Sequence, residues 1–528
     1  MLLILRLAFW MTSVLLRISQ PFFWFRHRKQ PQKIPPTSNP LLQLSASELA
    51  KKIRLRQVSS EAVVTAYIER IKQVNPVVNA VVDHRYEDAI KEAQECDKIF
   101  DSGEVTIDYI VTNKPLFGVP FTIKESCAVK GLSFTGCTTM RRGIKADEDC
   151  LAVIKMKNAG AIALCVTNTP ELCCTFETTN FVYGTTTNPY DGRRSAGGSS
   201  GGEGALLGAG ASLIGVASDT AGSIRLPGLF NGIFGHKPTP GVVPLEGHYP
   251  LINDCKFQKY LVLGPMARYT EDLMLAFKIM SAGCKQNLRL DEPVELSKLK
   301  VFYMESIDTF GLTPTNEDTR SSIRRALKHF EKRGARVSKP ELEGITDICE
   351  LGIAAFLDIE EKLTFLMNPN NKEERVNSTI EFMKSLLGLS QYSRPAIVMT
   401  MFQDMNGFMT LSEVPKYMRK MEELKLTLLD LLGDDGVFLY PTFTGAAPLL
   451  GQTMMHSTAA SYSLLCNALG FPSTQIPMGL NARGLPTGFQ VFAAPHQDRL
   501  CLAVAAELEQ VFGGWIPPTT ANYSDDIL

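Results

Sequence analysis

The sequence predicts an α/β protein with one large, mixed and twisted sheet that is covered by helices on both faces. Short apolar runs of strand-like composition alternate with longer segments of helical periodicity along most of the chain. The chain has 528 residues, 45% of them hydrophobic, which is sufficient for a large core. No internal repeat is present, so we expect one large domain over residues 41–528.

Local patterns justify the elements of this domain in order. Two helices open it, at 45–56 and 59–74, and each begins with a serine whose hydroxyl can accept a hydrogen bond from the first turn. Ser45 is followed by Glu48, which is the spacing of a capping box. Further helices are predicted at 86–100, 152–158, 203–209, 321–333 and 499–511. Strands are predicted at 78–82, 119–123, 161–167, 213–217, 301–304, 437–440 and 488–493.

Residues 1–30 are predicted to form a membrane anchor helix. Residues 1–25 are mostly apolar, and a basic cluster from Arg26 to Lys29 follows without a clear small-residue cleavage site. A signal anchor that leaves the body of the protein on the cytoplasmic side fits this pattern better than a cleaved signal peptide. Residues 31–40 contain four prolines and are interpreted as a linker, because such a stretch cannot continue a helix.

A narrow polar stripe interrupts the apolar surface of this N-terminal helix. At about 100° per residue, four polar side chains fall on one side: Arg6, Ser13, Arg17 and Gln20. The stripe suits a helix that lies in the membrane interface, or one that spans the membrane with its arginines snorkelling outward. A helix packed on the protein's own surface is the alternative. We expect membrane association through this single anchor, at the endoplasmic reticulum or a lipid droplet.

Residues 342–432 lack clear strands and have a helical pattern. Six methionines lie in its second half: Met399, Met401, Met405, Met409, Met418 and Met421. Unbranched thioethers suit surfaces that adapt to flexible apolar partners. Ordinary helical core is the simpler interpretation, and a lid or a pocket for an acyl chain is the functional one.

Charge and composition argue against several classes of protein. The formal net charge is −1, so no basic excess points to nucleic acid. The seven histidines are scattered, and neither His-x-x-x-His nor Cys-x-x-Cys occurs, which argues against a zinc site. The 12 cysteines are expected to be free thiols in a reducing compartment. We therefore expect no metal and no organic cofactor.

Three residues have the types and the surroundings of one active site. Lys124 directly follows the predicted strand 119–123, whereas Ser199 and Ser223 lie in glycine-containing runs further along the chain. A serine attacks poorly without a base, and a lysine can serve as that base only when its amine is uncharged, which burial among apolar neighbours favours. Ser199 can bridge the other two side chains, because a hydroxyl both donates and accepts hydrogen bonds. The pattern therefore predicts Ser223 as the nucleophile, Ser199 as the bridge and Lys124 as the base.

The backbone around the second serine is predicted to hold the oxyanion of a tetrahedral intermediate. The candidate donors are the N–H groups of Thr220, Ala221, Gly222 and Ser223. Small side chains at these positions leave room for a substrate carbonyl. Ser200, beside the bridging serine, is grouped with these substrate-binding residues. Asp219 and Arg225 are expected to form an ion pair that braces the loop without taking part in the chemistry.

Two other motifs resemble parts of this pattern. Residues 198–202 fit a Gly-x-Ser-x-Gly nucleophile elbow with Ser200 as the nucleophile, but that motif needs a preceding strand, and 188–194 has the composition of a turn. A phosphate-binding loop would place Gly-Lys-Ser or Gly-Lys-Thr after the glycines, and neither follows. The Ser–Ser–Lys arrangement is therefore the preferred interpretation.

These motifs resemble those of the amidase signature family. The run 197–227 is similar to that family's glycine- and serine-rich signature almost throughout, and the lysine motif at 118–125 is similar to another landmark. Residues 470–472 and 484–488 resemble two further landmarks. The similarity extends over residues 41–515, which is nearly all of the chain except its N-terminal segment.

Within this family, the chain resembles the fatty-acid amide hydrolases, particularly their second animal type. The motifs at 235–238 and 433–441 and the apolar N-terminus carry that similarity. The resemblance implies an amidase catalytic domain over 41–528, with 342–432 as its helical lid or acyl-pocket region. It also implies a triad of Ser223, Ser199 and Lys124.

The resemblance implies further details of this site. A cis peptide bond is expected before Ser199, which no sequence pattern reveals. Ala221 stands where the first animal type of fatty-acid amide hydrolase has glycine, and the wider family tolerates alanine there, so we expect the activity to survive.

The expected activity is hydrolysis of fatty acyl amides to a fatty acid and an amine through an acyl-enzyme, without a cofactor. The expected partners are a lipid amide substrate and a membrane, with a homodimer left open and no nucleic acid. Two alternatives remain. One keeps the triad in a small-amide or peptide amidase or a glutamine amidotransferase subunit. The other is a catalytically inert lipid-binding protein.

Overall fold

An 11-stranded mixed sheet runs through the molecule, with helices against its faces, as the sequence predicts. The computed structural model describes residues 2–29, 32–102, 105–361, 364–367 and 376–518. The α-helices are α1 (Leu2–Arg26), α2 (Ala46–Arg54), α3 (Ser60–Val78), α4 (Tyr86–Ser102), α5 (Ile107–Asn113), α6 (Leu151–Asn158), α7 (Gly201–Gly208), α8 (Arg225–Phe230), α9 (Phe257–Tyr260), α10 (Thr270–Ser281), α11 (Glu317–Lys332), α12 (Ile348–Leu357), α13 (Ser378–Leu386), α14 (Arg394–Asp404), α15 (Val414–Leu432), α16 (Ser461–Leu469) and α17 (Asp498–Phe512).

The strands of the large sheet are joined in the order β1-β3-β2-β6-β8-β7-β12-β13-β11-β9-β10, and β4 and β5 form a separate hairpin. Their bounds are β1 (Val81–His84), β2 (Pro120–Lys124), β3 (Ile162–Thr167), β4 (Thr179–Asn180), β5 (Gly184–Thr185), β6 (Ile214–Asp219), β7 (Phe234–Lys237), β8 (Val262–Ala267), β9 (Lys300–Tyr303), β10 (Arg336–Ser338), β11 (Gly436–Tyr440), β12 (Ser473–Leu480) and β13 (Pro486–Ala493). Strand β2 is parallel to both β3 and β6, whereas β8 is antiparallel to β6. The sheet is therefore mixed.

Strands β2 and β6 position the site. Because they are parallel and in register, with Thr122 opposite Gly215 and Ile123 opposite Val216, their carboxyl ends meet at one edge of the sheet. Lys124 is the last residue of β2, and β6 ends at Asp219. The turn that carries Ser223 follows β6 directly, so the register of one strand pair brings the lysine and this turn together.

The N-terminal caps of α2 and α3 form as predicted, but α3 is longer than predicted and shifts the start of the following strand. Ser45 and Glu48 make a capping box at the start of α2. Helix α3 extends to Val78 because Asn79 adopts a left-handed conformation, with φ 49°, and ends it there. The strand predicted at 78–82 is therefore shifted, and β1 begins only at Val81.

Strands β7, β8, β10 and β12 lie outside the predicted strands. Strand β8 contains Gly264 and Pro265, and β12 contains Pro477 and Gly479, with a change of register between Pro477 and Leu480. Glycine and proline lower the strand signal of a sequence. Pairing on both sides within the sheet overrides that local preference.

Helix α1 packs on the surface of the protein itself, which is the alternative to the interfacial or membrane-spanning helix considered from the sequence. Its Arg6 guanidinium forms ion pairs with Glu350 at 2.6 Å and Asp347 at 2.9 Å, and Leu5 and Phe23 are buried. Among the described residues, no helix combines the length and the apolarity needed to cross a bilayer. Residues 32–39 of the predicted linker form neither helix nor strand, and residues 30 and 31 lie outside the described ranges.

The predicted helical region 342–432 contains α12 to α15 and no strand among its described residues. Its methionines are divided among different surroundings. Met409 and Met421 are buried in one apolar cluster, Met401 packs against another, and Met405 is exposed. They do not share one surface, and the lid or acyl pocket stays a prediction.

Candidate active site

Lys124 is buried completely at the end of β2, with a side chain that is 0% exposed. Its Nζ lies 2.6 Å from Ser199 Oγ and 2.8 Å from Ser218 Oγ. The Ser218 carbonyl oxygen is a third neighbour, at 3.4 Å. The lysine predicted from the sequence is therefore out of water and in contact with the predicted bridging serine.

Ser199 lies two residues before Gly201, the first residue of α7, and is itself buried. The peptide bond before it, Gly198–Ser199, is cis, as the family resemblance implies. Helix α7 can approach β3 closely because it begins with glycines. A methyl group added to Gly202 would lie 2.5 Å from the backbone nitrogen of Asn168, so a larger residue would push the helix away.

Ser223 is half-buried in the turn between β6 and α8. The Ser200 N–H donates to the Ser223 carbonyl at 3.2 Å, and the Ser200 hydroxyl donates to the Ser218 carbonyl at 3.3 Å. Ser200 therefore ties the first serine motif to the second. Within the described part of the chain, no hydrogen bond joins the Ser223 hydroxyl to Ser199 or to another side chain, so this hydroxyl has no competing partner.

The turn before Ser223 is clamped by its neighbours. Asp219 accepts hydrogen bonds from the N–H groups of Gly222 at 2.7 Å and Ile224 at 3.0 Å. The Ser463 hydroxyl lies 3.0 Å from the carbonyl oxygens of both Ala221 and Ala460, so the peptide group between Ala221 and Gly222 has a hydrogen-bonding neighbour at each end. Gly222 has φ 114°, and a methyl group on it would lie 2.3 Å from Ser463 Oγ, so glycine is required there.

The predicted oxyanion donors are not equivalent in this arrangement. The N–H of Gly222 is already engaged by Asp219. Those of Thr220, Ala221 and Ser223 have no hydrogen-bond partner among the residues that the structure describes. Three of the four predicted donors are therefore available to a substrate oxygen.

The expected ion pair between Asp219 and Arg225 is present and fully buried. Arg225 Nη2 lies 3.0 Å from Asp219 Oδ1, and the guanidinium also donates to Gln490 and Asn467, at 2.6 and 2.5 Å. Burial acts to raise the pKa of Asp219, but Arg225 and the backbone donors outweigh it and hold this pKa well below its usual range. The charged pair therefore ties the turn to α16 and β13, and among the described residues neither member forms a hydrogen bond or an ion pair with Lys124.

Glu203 is a second buried acid near the site, and no local sequence pattern indicates its role. Its carboxyl oxygens accept hydrogen bonds from the hydroxyls of Thr122 at 2.6 Å and Thr167 at 2.7 Å. Burial raises the pKa of Glu203 to about 7. The carboxyl group links α7, which begins two residues after Ser199, to β3 and to β2, which ends at Lys124.

Replacement of Glu203 by glutamine should weaken the pH dependence of stability. The folded-state pKa of about 7 lies above the usual unfolded value of about 4.3, so the stability due to this proton is complete below about pH 4 and is lost as the pH rises through about 7. The loss is at most about 4 kcal/mol for this residue. Glutamine keeps the volume and cannot titrate, so Glu203→Gln should gain stability relative to the wild type between pH 5 and 8.

Denaturant unfolding at several pH values measures this difference. Glu125 is an internal reference, because burial also raises its pKa to about 7 and it remains in the variant. We therefore expect a reduced slope rather than a flat profile. Equal slopes for the two proteins would contradict the assignment.

Ser218 and His248 belong to the site although the sequence did not indicate them. The Ser218 hydroxyl lies between Lys124 Nζ and His248 Nε2, at 2.8 and 2.9 Å. Ser218 was detectable in part, since it lies just beyond the predicted strand 213–217. His248 has no local signal, because only the fold brings its loop to β2. Among the described residues, no group of three or more potential metal ligands occurs.

Comparison with known proteins places this chain in a family. The family model described as Amidase matches residues 62–502, and the chain belongs to the amidase family. It is accordingly a hydrolase that acts on amide bonds.

Fatty-acid amide hydrolase 2 of Homo sapiens is 40% identical over 489 residues, which cover 92% of each chain. Fatty-acid amide hydrolase 2-A of Danio rerio is 39% identical and covers 98% of this chain and 96% of its own length. A solved structure named fatty acid amide hydrolase superposes with a TM-score of 0.71 at 20% identity, over 91% of this chain and 87% of that one, which supports the fold. The resemblance expected from the motifs is therefore confirmed.

Proposed function

We propose that this protein is a membrane-attached serine hydrolase that cleaves fatty acyl amides through an acyl-enzyme. The contact between the buried Lys124 amine and the Ser199 hydroxyl carries the proposal, because it places an amine shielded from water beside a hydroxyl that can relay protons. The similarity to two fatty-acid amide hydrolases over nearly the whole chain supports the substrate class.

In the proposed mechanism, Ser223 attacks the amide carbonyl as its proton passes to Ser199 and the Ser199 proton passes to Lys124. The negative charge on the tetrahedral oxygen is stabilised by the free backbone N–H groups of Thr220, Ala221 and Ser223. Lys124 then returns a proton, through Ser199, to the leaving nitrogen. Protonation is needed because an amine anion is a very poor leaving group. Water releases the fatty acid from Ser223 by the same relay.

The surface of α1 supports the proposed membrane attachment. Three of the four polar residues in its predicted stripe face the protein. Arg6 pairs with Glu350, the Ser13 hydroxyl lies 3.4 Å from the Thr313 hydroxyl, and Gln20 accepts from Gln452 at 3.4 Å. The opposite side of the helix presents large apolar side chains outward: Leu7, Trp10, Met11, Leu15, Ile18, Phe22 and Phe25.

This arrangement is inverted relative to a helix on the surface of a water-soluble protein, where the apolar side faces the core. An apolar stripe of this length needs an apolar partner, and a helix that lies in the membrane interface provides one. Helix α1 also contacts the 3₁₀ helix Thr453–Ala460, which leads directly into α16 and the clamp residue Ser463. The proposed membrane surface and the active-site turn are therefore connected by one continuous segment.

Two acidic substitutions on the exposed apolar side of α1 should release the protein from membranes. Ile18 and Phe22 are 70% and 61% exposed, so Ile18→Glu with Phe22→Glu leaves the packed side of α1 intact. We expect binding to phospholipid vesicles to fall by about a hundredfold, because two apolar side chains are lost and two charges resist burial. Turnover of a water-soluble amide should be retained.

Vesicle co-sedimentation measures this binding, with Leu426→Glu as a matched control. Leu426 is an exposed leucine of α15, far in sequence from α1, so its replacement adds one acidic side chain elsewhere, against two in the double variant. Undiminished sedimentation of the double variant would contradict attachment through α1. The exposed apolar residues of α13 would then be the next candidates for contact with the membrane.

A turnover panel tests the proposed substrate class. It compares long-chain primary acyl amides, acyl ethanolamides, short amides and glutamine under the same conditions. We expect the highest kcat/KM for the long acyl amides. Preference for short amides or glutamine would favour a small-amide amidase or an amidotransferase subunit, and no hydrolysis of any amide would favour an inert lipid-binding protein.

A further inference from the structure

We propose that His248 is a positioning residue that acts through Ser218 and directs the lone pair of the Lys124 amine toward Ser199. The inference rests on the proposed function, because it concerns how the base of that mechanism is oriented. It follows from a chain of hydrogen bonds whose directions can be assigned one after another.

The fold holds His248 beside the end of β2. Cys127 forms an isolated antiparallel bridge with His248. On either side of it, the Ala128 N–H donates to the Gly247 carbonyl at 2.9 Å, and the Tyr249 N–H donates to the Ser126 carbonyl at 2.8 Å. The segment that follows Lys124 is therefore paired with the segment that carries the histidine.

The tautomer of His248 follows from its first contact. Its Nδ1 lies 3.0 Å from the carbonyl oxygen of Pro250. A carbonyl oxygen only accepts hydrogen bonds, so Nδ1 must carry the hydrogen. In the neutral ring, Nε2 is then an acceptor. It lies 2.9 Å from Ser218 Oγ, so the Ser218 hydroxyl donates its single hydrogen to His248.

The direction of this hydrogen bond determines whether Ser218 acts as a donor or an acceptor toward Lys124. Because its hydrogen is used, Ser218 Oγ can only accept from Nζ, 2.8 Å away. An uncharged amine has two N–H groups and one lone pair. One N–H is directed at Ser218 Oγ, and the other has the Ser218 carbonyl at 3.4 Å as an acceptor. The lone pair is left for Ser199 Oγ at 2.6 Å, the orientation that a base needs.

The surroundings of His248 keep its ring neutral. The residue is only 6% exposed, and burial lowers the pKa of His248 to about 3. Above that pH, Nε2 remains an acceptor. Without this acceptor, the Ser218 hydroxyl is free to turn and donate to the lysine lone pair, in competition with Ser199.

Four variants test the inference: His248→Gln, His248→Met, Ser218→Ala and the double variant of Ser218→Ala with His248→Met. Glutamine offers an amide oxygen that can accept from Ser218, whereas methionine fills the space without a comparable acceptor. We expect His248→Met to lower kcat about tenfold, the effect of one hydrogen bond, with KM within about twofold of wild type. His248→Gln should recover most of kcat.

The double variant separates positioning from packing. If His248 acts through Ser218, then His248→Met should change kcat by less than about twofold once Ser218 is alanine. Thermal unfolding of each variant shows that it is folded. The inference is overturned if the kcat losses of His248→Met and Ser218→Ala multiply in the double variant. It is also overturned if His248→Gln is as slow as His248→Met, or if the substitutions change only KM.

Failure of the proposed function has a different signature. A wild-type protein that hydrolyses none of the amides in the turnover panel overturns both proposals together. If the wild type is active and the kcat losses of His248→Met and Ser218→Ala multiply in the double variant, only the role of His248 is overturned.

Discussion

Ser223→Ala is expected to abolish amide turnover and to leave the fold intact. Loss of a serine nucleophile removes the covalent step, and kcat should fall by about 10⁴-fold or more. The half-buried side chain loses a single oxygen atom that has no hydrogen-bond partner among the described side chains, so thermal unfolding should change little. The effect on activity is therefore expected without a matching effect on stability.

A fluorophosphonate probe followed by mass spectrometry measures the same prediction directly. The wild type should be labelled once, on Ser223, and Ser223→Ala should not be labelled. Ser297→Ala is the matched control, because this serine is exposed and precedes β9, well away in the sheet from β6. Unchanged turnover in Ser223→Ala would remove the nucleophile assignment.

Lys124→Met and Lys124→Arg should both depress amide hydrolysis by about a thousandfold, a loss typical of removing a general base. Methionine retains much of the buried volume but has no proton to exchange. Arginine is positively charged and is not deprotonated in proteins, so it cannot accept a proton from Ser199. An active arginine variant would contradict a neutral amine as the base.

The relay also predicts different losses for matched amide and ester substrates. An ester leaving group needs less protonation than an amine, so the Lys124 variants should retain relatively more ester hydrolysis, by about tenfold in kcat/KM. A pair of substrates with the same acyl chain isolates this difference. Equal losses on both would argue against proton return to the leaving nitrogen.

Much of the fold is readable from this sequence because local and global preferences agree. The capping box at Ser45 forms, and the apolar runs before Lys124 and before the turn of Ser223 are neighbouring strands. The prediction is less accurate where tertiary pairing overrides local composition. Strand β8 includes Gly264 and Pro265, and its pairing with β6 and β7 supplies what the residues themselves do not.

The candidate site can be predicted from the sequence where a single motif also indicates the environment of its residues. Lys124 lies in an apolar segment, which indicates burial, and it contacts Ser199 in the structure. His248 is different, because its loop reaches β2 only through pairing between segments distant in sequence. The available oxyanion donors also could not be ranked from sequence, since the engagement of the Gly222 N–H by Asp219 depends on the conformation of the turn.

Trapping the acyl-enzyme tests the central claim most directly. The wild type is mixed with a long-chain acyl amide, quenched in acid within the first turnover, digested and analysed by mass spectrometry. The account predicts that the peptide containing Ser223 gains the mass of the acyl group. An acyl group on Ser199 or Ser200, or sustained turnover without any acylated serine, would contradict it.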